Sequence, residues 1–323
     1  MLWDSQGRTI AYLRLSLTPA CALRCTYCRP ELFTTAVDRS LLTPAEIERI
    51  VAYLVRRHGL RKLRLTGGDP TSRPDLVEII ERVARIEGLG DLAMTTHGLT
   101  LAERARDYRR AGLRRINVSL DTLDPDQFQR ITGAKALERV LAGIHEALRL
   151  GFSPVRLNTV VIADENEEQL PSLVLFAADL GVEIRFIELM PMGPLAETWH
   201  ERFVPESRMR ARLGGVVRAW RPLPRNQGSA KRWQAELRDG RSTIIGFITA
   251  MSDHFCDDCN RLRLTGEGRL YPCLMGEPAG DIMPAVRPEF DAELLDDLLL
   301  AALSHKQPRH GATGYAVMTT IGG

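Results

Sequence analysis

The chain has 323 residues, 44% of them hydrophobic and 26% charged, and a formal net charge of +2. That composition fits an ordinary soluble globular protein, long enough for one large α/β barrel or two modest domains. The near-neutral charge argues against a general binder of polyanions, so no nucleic-acid partner is expected. Of the 43 basic residues only Lys62, Lys135, Lys231 and Lys306 are lysines, a skew so global that it reads as coding bias. The N-terminus lacks an apolar leader and no uninterrupted apolar span is long enough to cross a bilayer, so a cytoplasmic protein without a membrane partner is expected. In that reducing compartment, six cysteines read as metal ligands or catalytic groups rather than disulfides.

Six strand-then-helix units are predicted before about residue 190. Strand one is Tyr12–Leu17. Thr43-Pro44-Ala45-Glu46 is a capping box with Pro at the first helical position, and Ile47, Ile50, Val51, Leu54 and Val55 follow at helical spacing until Gly59. Strand two is Leu63–Thr66 with a helix from Pro74, and strand three is Leu92–Thr96 with a helix over Leu101–Ala111. Strand four, Arg115–Leu120, leads into a short helix capped by Asp124-Pro125 and a longer one through Leu137 and Leu148. Strand five is Val155–Ile162, a helix runs from about Glu167 to Leu180, and strand six is Glu183–Leu189. Regular alternation with short loops means a parallel sheet with right-handed crossovers. Six units are two short of a closed barrel, so the expected fold is α/β: an incomplete (β/α)6 TIM-type barrel. After Pro191 the rhythm changes. Strands near Val217–Trp220, Arg232–Leu237 and Ser242–Thr249, a hairpin of Arg261–Thr265 with Arg269–Tyr271, and a helix around Ala292–Leu303 predict a smaller antiparallel α+β domain over the barrel's open side. The expected domains are 1–215 and 216–323.

Two cysteine groups stand out. Cys21-Ala-Leu-Arg-Cys25-Thr-Tyr-Cys28 follows strand one, and Cys256-Asp-Asp-Cys259 is joined by Cys273. Three thiolates in a short loop can hold one metal centre and leave a coordination position open, as catalysis requires; a zinc loop or incidental buried thiols are the alternatives. Functional groups of parallel barrels gather at the C-terminal strand ends. There the chain places the first cysteine loop, Gly67-Gly68-Asp69-Pro70, Thr95-Thr96-His97-Gly98, Ser119-Leu120-Asp121, Arg156 and Asn158 on one face of strand five, and Glu188 and Met190.

The three-cysteine loop, with the aromatic Tyr27 before its last Cys, resembles the radical S-adenosylmethionine (SAM) superfamily. Cys256-x-x-Cys259-Asn-Arg-Leu-Arg-Leu-Thr, Tyr-Pro-Cys273-Leu and the terminal Gly322-Gly323 narrow the resemblance to the GTP 3′,8-cyclase family, over nearly the whole chain. The resemblance implies a lyase with two 4Fe-4S clusters, one on Cys21, Cys25 and Cys28 and one on Cys256, Cys259 and Cys273. It implies SAM against Tyr27, Gly68, Ser119, Asn158 and Met190. It implies GTP against Arg14, Arg64, Thr95, Arg156, Arg261, Leu262 and Arg263, with Arg261 and Arg263 catalytic and Leu262 offering only backbone and surface. In that family a 5′-deoxyadenosyl radical removes the ribose 3′ hydrogen of GTP and the carbon radical attacks C8, which opens molybdenum cofactor biosynthesis. An electron donor of flavodoxin or ferredoxin type, a downstream cyclic pyranopterin monophosphate synthase and a monomer or homodimer are implied with it.

Three positions depart from the family's pattern: Asp69 replaces the usual Glu, His97 the usual Asn, and Arg156 a common Lys. His97 is expected to be an interior structural residue. The tail segment Ala316-Val317-Met318 also lacks an Arg found in relatives. Rival readings are a peptide-modifying radical SAM enzyme with an auxiliary cluster, and a zinc-stabilised interaction module with His254 as a fourth ligand.

Overall fold

A computed structural model of the chain describes residues 1–28, 41–224, 228–311 and 318–322. The six predicted strands form where alternation placed them: β1 (Tyr12–Ser16), β2 (Lys62–Thr66), β3 (Asp91–Thr96), β4 (Arg115–Ser119), β5 (Val155–Val161) and β6 (Glu183–Glu188). Each pairs in parallel with the next. The returning helices are α1 (Pro44–His58), α2 (Leu76–Ala84), α3 (Leu101–Arg110), α4 (Pro125–Thr132), α5 (Leu137–Arg149) and α6 (Leu170–Asp179). Their apolar stripes, such as Ile47, Ile50, Val51 and Leu54 of α1, are buried. The opposing strand residues, including Leu13, Leu15, Leu63 and Leu65, join them in one core.

Helix α1 starts as its sequence dictates. Thr43 accepts a hydrogen bond from the Glu46 N–H, and the Glu46 carboxylate accepts from the Thr43 N–H at 2.8 Å. Gly59 closes the helix in the left-handed conformation at φ 70°, where a side chain would be strained.

The partial barrel is accompanied by the expected C-terminal region, whose antiparallel ribbons continue the barrel sheet at both of its edges. Its strands β7 (Val217–Pro222), β8 (Lys231–Leu237), β9 (Ser242–Ile248), β10 (Arg261–Thr265), β11 (Arg269–Tyr271) and β12 (Gly280–Asp281) extend the barrel sheet itself. The spatial order is β12-β11-β10-β1-β2-β3-β4-β5-β6-β9-β8-β7. Strand β9 joins β6, and β10 joins β1, both in parallel, so eight consecutive strands run the same way. The physical cause is the pair of edges that six strands leave: rows of unpaired N–H and C=O groups that the C-terminal strands satisfy. The predicted hairpin of β10 and β11 forms, with Arg263 opposite Tyr271. Helix α7 (Ala292–Ser304) is capped by Asp291, which accepts from the Leu294 N–H. Among the described residues no helix is long and apolar enough to cross a membrane.

Candidate active site

The first cysteine loop is held by backbone bonds on two sides. Arg24 and Thr26 donate their N–H groups to Thr132 and Ile131 at the end of α4, at 2.8 and 2.9 Å. The turn after β2 grips the other side: Gly68 N–H donates to Thr18 O at 2.7 Å and Asp69 N–H to Ala20 O at 2.8 Å. A Cβ on Gly68 would lie 2.4 Å from both Pro19 O and Ala20 O. The close approach that requires glycine is therefore to the cysteine loop's own backbone. Asp69 is buried and saturated: it accepts from Thr71 N and Oγ1 and, across the sheet, from Thr96 Oγ1 and His97 N at 2.8 and 2.7 Å. The shorter acid thus ties the turn after β2 to the end of β3. His97 is buried beside it, its Nδ1 accepting from the Leu99 N–H.

Cys28 N–H donates to Cys25 O at 3.0 Å, and Cys259 N–H donates to Cys256 O at the same distance. The two Cys-x-x-Cys segments thus make the same tight turn. Burial pushes the Cys25 thiol well up, and Asp121 and the sister thiols Cys28 and Cys21 add to it. Such crowding of would-be thiolates is what a bound metal cation relieves. Tyr27 donates its phenol hydrogen to Asp121 at 2.8 Å, and burial holds the Asp121 carboxyl up at about 6. At Cys259 burial alone would raise the thiol, but the charges of Arg261 and Lys306 bring it down to about 6. All six cysteines are free thiols, and two sets of three soft donors fit iron–sulfur chemistry.

The triads open on two adjoining chambers. One, of about 150 Å³, is lined by Cys21, Cys25, Cys28, Gly68 and Ser119. The other, of about 320 Å³, is lined by Cys256, Cys259, Cys273 and a basic wall. Thr95, Asn158 and Ile187 line both, so the two chambers are neighbours that share one wall.

Register builds the basic wall. Strands β1, β2 and β10 read Tyr-Leu-Arg-Leu-Ser, Lys-Leu-Arg-Leu-Thr and Arg-Leu-Arg-Leu-Thr, and they pair without offset. Arg263, Arg14 and Arg64 therefore stand side by side on three neighbouring strands, with Arg261, Tyr12 and Lys62 in the row below. Like charges at directly opposed positions repel, and the interior amplifies the cost. Burial lowers Arg14 and drives Arg263 well down. Burial would raise the Tyr12 phenol, but Arg64 and Arg14 bring it to about 7. Farther along, Arg156 Nε donates to Glu183 at 3.0 Å, and burial lowers Arg156 to about 10. Among the described residues, the buried atoms Arg64 Nη1, Arg156 Nη1 and Asn158 Oδ1 have no hydrogen-bond partner. A buried, under-neutralised basic wall with unused donors is suited to a polyanion with polar edges.

The tail meets this wall. Gly322 O accepts from Arg14 Nη2 at 3.3 Å and from Arg263 Nη1, and Thr320 O accepts from Ser16 Oγ at 2.7 Å. Gly323, Ala316 and Val317 lie outside the described residues.

Of the expected SAM residues, Tyr27, Gly68, Ser119 and Asn158 line the first chamber, while Met190 lines the second. Arg14, Arg64, Thr95, Arg156, Arg261 and Arg263 line the second chamber together. Leu262 does not join them; its side chain faces the other way into the core. Lys62, Arg115 and Arg185 line the second chamber without having been anticipated. Each stands two residues before an inward-facing position on its own strand, so strand alternation already carried that signal. His254, Cys256 and His310 place ligand atoms within 4.8 Å of one another, but His254 Nδ1 and His310 Nε2 each sit 2.7 Å from Ala250 O.

A family model described as the Radical SAM superfamily matches residues 15–177, and one described as Molybdenum Cofactor Synthesis C matches 182–312. The chain is 43% identical over 309 residues to the GTP 3′,8-cyclase 1 of Pseudomonas aeruginosa, covering 95% of this chain and 93% of that one. It is 40% identical to molybdenum cofactor biosynthesis protein 1 of Drosophila melanogaster, over 96% of this chain and 54% of that one. The solved structure of Streptococcus suis SuiB bound to precursor peptide SuiA matches with a TM-score of 0.60 at 14% identity, over 92% of this chain and 65% of that one. That likeness is one of fold.

Proposed function

The chain belongs to the GTP 3′,8-cyclase family of radical SAM enzymes, and from that membership we propose that it converts GTP to (8S)-3′,8-cyclo-7,8-dihydroguanosine 5′-triphosphate, the first step of molybdenum cofactor biosynthesis. The observation that carries the reading is a pair of neighbouring chambers, one on each cysteine triad, that share Thr95, Asn158 and Ile187, the second walled by the row Arg263–Arg14–Arg64. A 4Fe-4S cluster on Cys21, Cys25 and Cys28 supplies, when bound, the one-electron reduction that cleaves SAM and yields its carbon radical.

The remaining roles belong to this chain's side chains. Tyr27, Gly68, Ser119, Asn158 and Met190 hold SAM, and Asn158, which lines both chambers, stands where SAM and GTP meet. Arg14, Arg64 and Arg156 take the triphosphate, with guanidinium forks matched to phosphate oxygens. Thr95 contacts the nucleotide between the chambers. Arg261 and Arg263, beside the second triad, are the proposed catalytic pair; Leu262 contributes backbone alone. Cys256, Cys259 and Cys273 hold a second cluster at the nucleotide end. The two-domain division at 215/216, a flavodoxin- or ferredoxin-type donor, a cyclic pyranopterin monophosphate synthase downstream and a cytoplasmic setting complete the proposal. Walls of barrel strands around the reacting groups limit the access of alternative hydrogen donors to the radical.

Membership of an enzyme family decides against the interaction module. The peptide-modifying alternative is met by a direct experiment: anaerobic incubation of the iron-loaded chain with SAM, dithionite and either GTP or peptides. 5′-Deoxyadenosine and the cyclised nucleotide should accumulate together with GTP; deoxyadenosine formed while GTP is recovered intact would sink the proposal. Alanine at Cys21, Cys25 or Cys28 should abolish SAM cleavage. Alanine at Cys256, Cys259 or Cys273 should stop cyclisation, with residual SAM cleavage uncoupled from GTP.

A further inference from the structure

Lys306 is one of only four lysines in the chain, and it is 3% exposed. It follows helix α7, its N–H donating to Leu303 O at 3.0 Å, and its side chain runs inward. The ammonium donates to three acceptors: Cys259 Sγ at 3.5 Å, Arg261 O at 2.9 Å and Pro272 O at 2.5 Å. An ammonium has three N–H groups and no acceptor, so these contacts saturate it.

All three acceptors belong to the second cysteine motif, and they come from different parts of it. Cys259 is one of its thiols, Arg261 opens strand β10, and Pro272 immediately precedes Cys273. One buried cation therefore ties the Cys256–Cys259 turn, the strand bearing Arg261 and Arg263, and the Cys273 segment to a single point. An ammonium is a compact point charge with three rotatable donors, whereas a guanidinium presents its donors in a fixed planar fork. The two triads also differ in their charged neighbours: Asp121 stands by Cys25, whereas Lys306 and Arg261 stand by Cys259.

We infer that Lys306 is a positioning residue for the second metal site: it holds the Cys259 and Cys273 segments together and, as a buried cation donating to a ligand sulfur, raises the reduction potential of the cluster bound there. Hydrogen bonds to ligand sulfurs and local charge are established levers on such potentials. The inference rests on the proposed second cluster.

The test uses the full chain with Cys21, Cys25 and Cys28 replaced by alanine, so that iron at the second triad is read alone. Iron and sulfide content, redox titration followed by electron paramagnetic resonance, and thermal melting are measured for this parent and for its Lys306→Met and Lys306→Arg forms. Lys306→Met keeps the aliphatic stem and removes the charge; its cluster should move to a more negative potential. Lys306→Arg keeps the charge and spoils the three-way contact; it should load less iron. An iron-free parent would overturn the second-cluster reading, and this inference with it. A loaded parent whose Met form matches it in iron and potential would overturn the inference alone. Should the Met form fail to fold, the Arg form decides: full loading at the parent's potential overturns the inference, and reduced loading supports it.

Discussion

Glu183 faces three guanidinium groups, Arg185 at 2.6 Å, Arg156 at 3.0 Å and Arg232 at 3.4 Å. Burial would raise its carboxyl, but the charges of Arg185 and Arg156 outweigh it and hold the group below its ordinary 4.5. A depressed folded value means the carboxylate stabilises the fold above its unfolded pKa, and the contribution is lost as pH falls through the lower folded value. Glu183→Gln leaves the guanidinium groups facing one another without their counter-charge. It should cost about 3 kcal/mol near neutral pH, the scale of breaking a buried ion pair. It should also flatten the fall in stability below about pH 4.5. Denaturant midpoints across that range check both effects. Gly68 makes a different point at the same scale. Its missing Cβ leaves room for Pro19 O and Ala20 O, so the residue shapes the first cysteine loop from 47 positions away in sequence.

Helix α1 shows how one element can be written locally and used globally. Its capping box is complete, and Glu46 also pairs with Arg287 at 2.6 Å, far along the chain. The hydrogen bond from Arg287 is the chief cause that holds Glu46 down at about 2. That pairing favours the fold above the ordinary carboxylate range and is withdrawn as pH falls towards about 2. Thr43→Ala removes the cap and should cost about 1 kcal/mol, read as a lower melting temperature with unchanged cysteine-bound iron. The strands β1, β2 and β10 carry the other element-scale result. Their shared Leu-Arg-Leu core buries leucine against helices and turns arginine inward, and only their alignment makes a site of three separate arginines.

At the scale of the molecule, Gly322 is bound by arginines of β1 and β10, strands that lie far apart in sequence. Gly322 sits at φ 71°, and a Cβ there would lie 2.4 Å from Thr66 Cγ2. Gly322→Ala should dislodge the tail from Arg14 and Arg263 and lower GTP cyclisation by on the order of 10- to 100-fold, while iron content stays at the parental level. Product formation against iron per chain is the check. Six strand–helix units, the cap of α1, the hairpin of β10 and β11 and both cysteine triads were legible in sequence. Each is written by neighbours within a few residues: alternation, helical spacing, turn chemistry and thiol spacing. The parallel docking of β9 on β6 and β10 on β1 was not legible, since an unpaired edge accepts any strand that reaches it. Nor were the target of Gly68 or the contacts of Lys306 legible; the burial of Leu262 and the inward-facing Lys62, Arg115 and Arg185 were carried by strand alternation but not read from it. The sequence by itself thus determined which local elements form and which sulfur donors are available. Only the tertiary structure decided which edges meet and in what register, because such contacts join residues from tens to hundreds of positions apart whose pairing no local pattern encodes.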